Sequence, residues 1–146
     1  MKNYLSCFIG FILLVTSEWY VDFDKAKNSA QLQHKYILLN FSGSDWCGPC
    51  IRMEKEIFAA EVFKQFANEQ LVLVNADFPR SKKHALPGEQ QKKNDQLADQ
   101  YDPQGIFPFT LLLTADGKVI KTWEGLPPLS PEEFVKQLQS GINAGN

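Results

Sequence analysis

The chain has 146 residues and a formal net charge of −2, with 44% hydrophobic and 22% charged residues. This length is typical of one domain, and the composition excludes a disordered chain or a multi-spanning membrane protein. No long basic block is present, so the sequence gives no reason to expect nucleic acid as a partner.

The first seventeen residues differ from the rest. A short, weakly positive start, residues 1–3, precedes an almost uninterrupted apolar run over residues 4–15. This run is too short to cross a hydrocarbon core of about 30 Å comfortably as a helix, but it suits a secretory signal. We therefore predict a signal peptide at 1–17, with an uncleaved anchor at 4–15 as the alternative, and a domain at 18–146 in an extracytoplasmic compartment.

The first half of this domain predicts helix, strand, helix and strand. Apolar or small residues at helical spacing indicate a helix within residues 18–35, and the apolar run Tyr36–Phe41 predicts a strand covered on both faces, in the middle of a sheet. A helix is expected from Gly48 to about Asn68, followed by a strand at Leu71–Asp77, so that the two strands run parallel with a right-handed crossover. The predicted buried stripe of this helix consists of Ile51, Ile57, Phe58, Val62, Phe63 and Phe66.

The second half predicts a long loop, a short helix, a hairpin and a final helix. The polar segment 78–93 contains two prolines and a glycine, and a short helix is expected around Leu97–Tyr101. Two antiparallel strands flank the turn at Asp116–Gly117. Ser130, Pro131 and Glu133 form a capping-box pattern at the start of the last helix, whose buried stripe is Phe134, Leu138 and Ile142. This order predicts an α/β fold with a central mixed sheet and helices on both faces.

Two cysteines of the predicted mature domain, Cys47 and Cys50, lie between the first predicted strand and the following helix. The remaining cysteine, Cys7, falls in the predicted signal peptide. Because Cys47 and Cys50 follow the end of a predicted strand, they are expected at the carboxyl edge of the sheet, where open α/β sheets place their sites. A CxxC motif at a helix start lowers the cysteine pKa from about 8.5 to about 7 or below. We therefore expect Cys47 to be the attacking thiolate and Cys50 the resolving thiol.

The residues around the pair fit this chemistry. Pro49 is tolerated in the first helical turn, where its missing N–H is not needed. Trp46 is either a flat apolar collar beside the nucleophile or a core residue, and the sequence does not separate these interpretations.

The stretch "ILLNFSGSDWCGPC", followed by "DFPR", "GIFPFT" and "ADGK", resembles the thioredoxin superfamily, in particular secreted bacterial thioredoxin-like proteins with an SDWC motif. The likeness covers about residues 19–140. It implies a thioredoxin-like three-layer fold and a redox-active Cys47–Cys50 disulfide with no other cofactor. Gly48 and Pro49 resemble the dipeptide of reducing thioredoxins. The family's cis proline would correspond to Pro108, and Phe107 would offer backbone groups to a substrate peptide.

Two departures from the family pattern bear on mechanism. Asn40 stands where thioredoxins commonly carry a buried aspartate that assists proton transfer to the resolving thiol. An amide cannot titrate, so water or another acid, such as Glu54 or Asp45, would have to serve. Phe109 replaces a common threonine after the proline, and the loop 78–93 is longer than in the plain fold.

Three alternatives to a disulfide reductase stay open on the sequence. A structural zinc usually needs four ligands, and the other soft candidates are His34 and His84, so no metal is expected. A non-catalytic binding or chaperone module would have no use for both thiols. A disulfide oxidase or isomerase would share the same cysteines.

We predict that the protein is a reductase of disulfides in exported, periplasmic proteins. We expect the reductase itself to be a monomer. The chain carries neither a nucleotide motif nor a membrane-spanning domain with which to recharge its thiols. It therefore needs a separate thiol electron donor, expected to be a membrane thiol-disulfide transporter.

Overall fold

A computed structural model describes residues 18–145, so the predicted signal peptide or anchor lies outside the described residues. The elements follow in the order β1 (Trp19–Tyr20), α1 (Phe23–Gln33), β2 (Tyr36–Ser42), α2 (Gly48–Met53), a π-helical turn (Glu54–Phe58), α3 (Glu61–Gln70), β3 (Leu71–Asp77), a 3₁₀ turn (Lys82–His84), α4 (Gly88–Tyr101), β4 (Phe109–Leu113), β5 (Val119–Glu124) and α5 (Pro131–Ala144). None of the helices between residues 18 and 145 is long and apolar enough to cross a membrane.

The five strands form one mixed sheet in the order β1-β3-β2-β4-β5. β2 pairs in parallel with β3 on one side and antiparallel with β4 on the other, and β4 continues antiparallel to β5. Every residue of β2 after Tyr36 is buried, as expected for a strand with both faces covered. The predicted central position of this strand and the parallel β2–β3 pair are therefore confirmed.

Alternate residues of β2 supply two separate cores. Leu38 faces the side where the buried residues of α3 and α5 lie. Ile37, Leu39 and Phe41 face the opposite side, with Ala26 and Ala30 of α1 and the partly buried residues of α4. The sheet is thus the middle layer between two helical layers, which confirms the predicted three-layer α/β architecture. Because Asn40 has the parity of Leu38, it lies on the same face of the sheet as α2.

The predicted continuous helix from Gly48 to Asn68 is wrong, because it is divided into three pieces. The π-helical turn follows α2 directly, and α3 begins again after Ala60 in an extended conformation. The wider turn places the consecutive residues Ile57 and Phe58 in the core and shifts the register of the residues that follow. Phe63 and Ala67 are therefore buried in α3, whereas the predicted Val62 and Phe66 are partly exposed.

Two further boundaries differ from the prediction. Trp19 and Tyr20 form an edge strand before α1 that the sequence did not predict, because they pair with Leu73 and Val74 of β3. α4 begins at Gly88, so the predicted long loop at 78–93 ends at residue 87.

The early part of α4 could not be recognised from an apolar stripe because its buried residue is polar. Asn94 is 3% exposed. Its side-chain N–H donates to the carbonyl oxygen of Asp77 at 2.9 Å, and its Oδ1 accepts from Gln90 at 2.8 Å. Hydrogen bonds to the end of β3 thus hold the helix where apolar side chains usually would.

The C-terminal half agrees with the sequence. β4 and β5 form the predicted hairpin, whose turn contains Gly117 at a φ of 92°, a left-handed conformation that glycine adopts without a steric penalty. The N-cap of α5 is Ser130, and the reciprocal hydrogen bonds of the capping box with Glu133 are both present. The predicted buried stripe of α5 is confirmed, since Phe134, Leu138 and Ile142 are at most 4% exposed.

Candidate active site

The two cysteines lie where β2 ends and α2 begins. Cys47 is the N-cap of α2, Cys50 lies one turn inside, and the two are joined in a disulfide with a Cα–Cα distance of 5.2 Å. The backbone N–H of Cys50 donates to Sγ of Cys47 at 3.2 Å. This contact favours negative charge on Sγ of Cys47 when the pair is reduced, because an N-cap position gathers the unpaired N–H groups of the first turn.

Burial does not separate the two cysteines in this oxidised form. Cys47 is 4% exposed and Cys50 is 5% exposed. Between them Gly48 and Pro49 occupy the first positions of α2 and are exposed. The difference between the sulfur atoms lies in their surroundings: Cys47 is the cap of the helix, whereas Cys50 lines a cavity behind it.

Trp46 joins the cysteine loop to two other segments. Its indole N–H donates to the carbonyl oxygen of Phe78 at 2.7 Å, and its ring meets the edge of the Phe107 ring at 5.5 Å between centroids. The guanidinium of Arg80 lies 3.5 Å from the centre of the indole ring. Trp46 is therefore neither a purely apolar collar nor a core residue, but a half-buried junction that positions the loop before Cys47.

Gly43 makes this position of Trp46 possible, and the sequence alone did not reveal it. A Cβ atom at residue 43 would lie 2.3 Å from Cε2 of Trp46. By contrast, a Cβ atom at Gly48 would meet nothing within 4 Å. The Trp46 indole thus packs directly on the backbone of Gly43, where a side chain would not fit, whereas Gly48 has room for one.

The Phe107–Pro108 peptide bond is cis, as the resemblance implied. It directly precedes β4, whose pairing with β2 begins at Phe109 opposite Phe41. The ring of Phe107 is partly buried and contacts the rings of Trp46 and Phe78. The backbone of Phe107 therefore lies beyond the paired part of β4, on the side of the cysteine loop. Phe109, noted as a departure, is buried and stacks on Phe41.

Behind Cys50 lies a cavity of about 340 Å³, lined by Trp19, Asn40, Ser42, Ser44, Cys50, Ile51, Glu54 and Asn75. Asn40 is 5% exposed and is held from both sides. Its side-chain N–H donates to Oδ1 of Asn75 at 3.1 Å, and the hydroxyl of Thr110 donates to its Oδ1 at 2.9 Å. The amide thus satisfies its neighbours across three strands, which an aspartate without a donor would not do.

Glu54 and Asp45, the two candidate acids, have opposite electrostatic surroundings. Glu54 lines the cavity with Cys50, and although much of the residue is exposed, burial raises the pKa of its carboxyl, while Lys64 acts against this. The backbone N–H groups of Arg80 and Ser81 lower the pKa of the Asp45 carboxyl. Glu54 is therefore the acid better suited to hold a proton near Cys50.

Asp45 instead fastens the segment after β3 to the cysteine loop. Its two carboxylate oxygens accept the backbone N–H of Arg80 at 2.9 Å and of Ser81 at 2.8 Å, and Nδ1 of His84 lies 3.2 Å from Oδ2. The neighbouring Ser44 bonds the Asp77 carboxylate through its backbone N–H and its hydroxyl. We call these contacts of Ser44 and Asp45 the latch. The sequence alone does not reveal the latch, because its partners are 33 to 39 residues apart.

The possible zinc ligands do not come together. His84 contacts Asp45, and His34 ends α1 in a left-handed conformation with a φ of 54°. Within residues 18–145, no three His, Cys, Asp or Glu residues are grouped so that they could hold a metal ion.

Sequence and structure comparisons agree with this geometry. The chain is 36% identical over 118 residues to the disulfide bond reductase DsbH of Chlamydia pneumoniae, covering 81% of this chain and 69% of that protein. A solved structure of DsbH oxidoreductase matches with a TM-score of 0.79 at 34% identity, covering 88% of this chain and 85% of that chain. The solution structure of a thioredoxin from Thermus thermophilus, at 18% identity and a TM-score of 0.66, covers 90% of this chain and 94% of its own and supports the fold alone.

A family described as Thioredoxin-like matches residues 18–115 of the chain. Together with the identity to DsbH over most of both chains, this match assigns the protein on sequence as well as on fold. The chain belongs to the thioredoxin-like family.

Proposed function

We propose that the protein is a thiol-disulfide oxidoreductase that reduces disulfide bonds in exported proteins. The observation that carries this proposal is the Cys47–Cys50 disulfide at the start of α2. The cis Phe107–Pro108 bond supports it, because the ring of Phe107 contacts Trp46, the residue before Cys47. The similarity to a protein named a disulfide bond reductase supports the direction of the reaction. The Gly48–Pro49 dipeptide, which resembles that of reducing thioredoxins, supports it as well.

The reaction begins from the dithiol form. The thiolate of Cys47 attacks one sulfur of the client disulfide, forms a mixed disulfide and releases the other client sulfur as a thiolate that takes up a proton. Cys50 then loses its proton and attacks Sγ of Cys47, which releases the second client sulfur, also protonated on leaving. The client gains two electrons from the protein and two protons, one given up by Cys50 and one from solvent, and the protein ends with the Cys47–Cys50 disulfide as the only redox group that the cycle requires.

The surrounding residues have separate tasks in this cycle. The N–H of Cys50 favours the thiolate of Cys47. The unpaired backbone of Phe107 offers hydrogen bonds to an extended client segment, and Pro108 fixes its approach. Asn40 holds the sheet beneath the cavity without carrying charge, and Glu54 accepts the proton that Cys50 releases. Trp46, with Gly48 and Pro49, forms the surface next to the disulfide.

The cycle needs a separate thiol donor to reduce the disulfide again. We propose a membrane thiol-disulfide transporter for this role, with the protein acting as a monomer outside the cytoplasm, in a periplasm. The apolar run at residues 4–15 supports this location through the pattern of a signal peptide or anchor.

The equilibrium potential of the purified protein against glutathione tests the direction. We expect a value nearer to the roughly −270 mV of thioredoxin than to the roughly −120 mV of a strong periplasmic oxidase. A value at the oxidising end would overturn the reductase assignment and favour an oxidase or isomerase.

Trapping tests the exchange itself. Cys50→Ser should accumulate mixed disulfides with exported proteins, whereas Cys47→Ser, the matched control, should accumulate none. If Cys47→Ser keeps both client binding and cellular phenotype, the protein is a binding module and the proposed chemistry fails.

A further inference from the structure

We propose that residues 78–87, here called the basic loop, select clients that carry acidic residues beside the disulfide to be reduced. This inference rests on the proposed function and deepens it, because it names the chemical class of the preferred substrate. The loop lies between β3 and α4 and contains the 3₁₀ turn at Lys82–His84.

The charge of the basic loop is one-sided. It contains Arg80, Lys82 and Lys83 together with His84, and no carboxylate, in a chain whose net charge is −2. All four residues are exposed. Within residues 18–145, Arg80, Lys82 and Lys83 form no ion pair, and His84 contacts the Asp45 carboxylate. The loop therefore presents positive charge that the protein does not itself neutralise.

The latch described above places this charge beside the disulfide. Asp45, whose side chain is only 10% exposed, is hydrogen-bonded to the loop and is two residues from Cys47. The Arg80 guanidinium rests on the ring of Trp46, the residue directly before Cys47. The Asp45 carboxylate that bonds the loop is largely covered by it, whereas the basic side chains of the loop are exposed, so the charge that the loop presents outward is positive.

A polypeptide segment uses this arrangement better than a flat anionic surface does. The reacting disulfide must approach Cys47 next to Trp46, whose ring contacts both Phe107 and the Arg80 guanidinium. An acidic residue a few positions from the client cysteine would then pass near the basic loop. Complementary charge of this kind raises association rates by about 10- to 1000-fold and is weakened by salt.

The test measures second-order rate constants for pre-reduced protein with three disulfides, so that no electron donor is needed. Two are disulfide-linked peptides of equal length, one flanked by aspartates and one by lysines. The third is hydroxyethyl disulfide, which is small and neutral. At low salt we expect the acidic peptide to react at least about 10-fold faster than the basic one, with this ratio falling severalfold at about 0.5 M salt.

The double variant Lys82→Glu/Lys83→Glu should remove or reverse the peptide preference and leave the rate with hydroxyethyl disulfide within about twofold, because the thiol chemistry is untouched. The matched control is Lys118→Glu/Lys136→Glu, which changes the net charge equally at two exposed lysines, in the β4–β5 turn and on α5. This control should keep the preference. Near-UV circular dichroism of each variant checks that the fold is retained, and Lys82→Gln/Lys83→Gln should lose the preference with a smaller charge change.

Three other outcomes would overturn the inference, and one of them would also overturn the proposed function. Equal rates for the two peptides, with hydroxyethyl disulfide still reduced, overturn the inference and leave the proposed function standing. Failure to reduce any of the three disulfides overturns the proposed function and the inference with it. Binding to phosphatidylglycerol vesicles that Lys82→Glu/Lys83→Glu abolishes, without peptide discrimination, overturns the inference in favour of a membrane surface.

Discussion

The substitution Gly43→Ala tests how the active-site loop is held. The added Cβ atom would lie 2.3 Å from Cε2 and 2.5 Å from Nε1 of Trp46, well inside van der Waals contact. Gly43 is itself buried at the end of β2, so the indole is the part that must move. Its displacement breaks the hydrogen bond to Phe78 and the ring contacts with Phe107 and Arg80.

The size of the effect follows from these three contacts. The hydrogen bond contributes about 1 kcal/mol net, the aromatic contact about 0.5–1.5 kcal/mol, and the guanidinium on an accessible ring about 0.5–1 kcal/mol. Their loss sets a destabilisation of about 2–3.5 kcal/mol, which for a chain of this size lowers the melting temperature by roughly 4–14 °C. Gly48→Ala is the matched control, because its Cβ atom meets nothing and its effect on the unfolded chain is the same.

Urea unfolding of the oxidised variants, followed by far-UV circular dichroism, gives the comparison. We expect Gly43→Ala to have the lower free energy of unfolding and slower reaction with disulfide peptides, whereas Gly48→Ala stays within about 1 kcal/mol of the parent protein. Equal unfolding midpoints for the two alanine variants would refute the reasoning, since they would mean that Trp46 needs no bare backbone beneath it.

Four further predictions concern charge and the cysteines. Burial raises the pKa of Glu54, so the ionised carboxylate destabilises the folded state as pH rises through that pKa. Glu54→Gln should therefore be more stable than the parent protein at pH 7 and lose this advantage below about pH 4. A stability advantage of Glu54→Gln that grows on acidification would contradict the assignment. Asn40→Asp removes the donor to Asn75 and places a carboxylate in the sheet, so it should cost about 1–3 kcal/mol at neutral pH and alter the pH dependence of disulfide reduction, whereas an unchanged profile would mean that another proton path dominates. Asp45→Ala should release the basic loop and speed tryptic cleavage at Arg80, Lys82 and Lys83 relative to Asp24→Ala, a solvent-exposed control at 85% side-chain exposure, and equal cleavage rates would show that the latch does not hold the loop. In the reduced protein Cys47 should be alkylated much faster than Cys50 near pH 7, and equal rates, measured by mass spectrometry of the labelled peptides, would argue against their separate roles.

Local chemistry explains what the sequence predicted well. The capping box at Ser130 and the turn at Gly117 depend on a few neighbouring residues, so their geometry is legible in the chain. The cysteine pair at a helix start and the cis Pro108 follow from a dense motif and from the resemblance that it carries. The six-residue apolar run of β2 required burial on both faces wherever it was placed.

What the sequence could not predict depends on partners far along the chain. β1 exists because Trp19 pairs with Leu73, and no pattern within two residues reveals such an edge strand. The break before α3 falls at Ala59 and Ala60, neither of which disfavours a helix by itself. In the folded chain the break directly follows Ile57 and Phe58, two consecutive residues that are both buried in the core.

The choice between the two candidate acids is likewise tertiary. Asp45 and Glu54 are both near the cysteines in sequence. Only the folded chain brings the backbone N–H groups of Arg80 and Ser81 to Asp45, and only the fold places Glu54 in the cavity behind Cys50. Spacing along the chain alone therefore leaves both acids as equal candidates.

Asp45 holds the basic loop mainly through the loop's backbone, so the contact depends little on which side chains the loop carries. Two of its three contacts are to main-chain N–H groups, which every residue type except proline supplies. The side chains of the basic loop can therefore be substituted while the hydrogen bonds from its backbone to Asp45 are kept. If the basic loop selects clients as proposed, substitutions in it would change client preference without any alteration of the sheet or of Cys47 and Cys50.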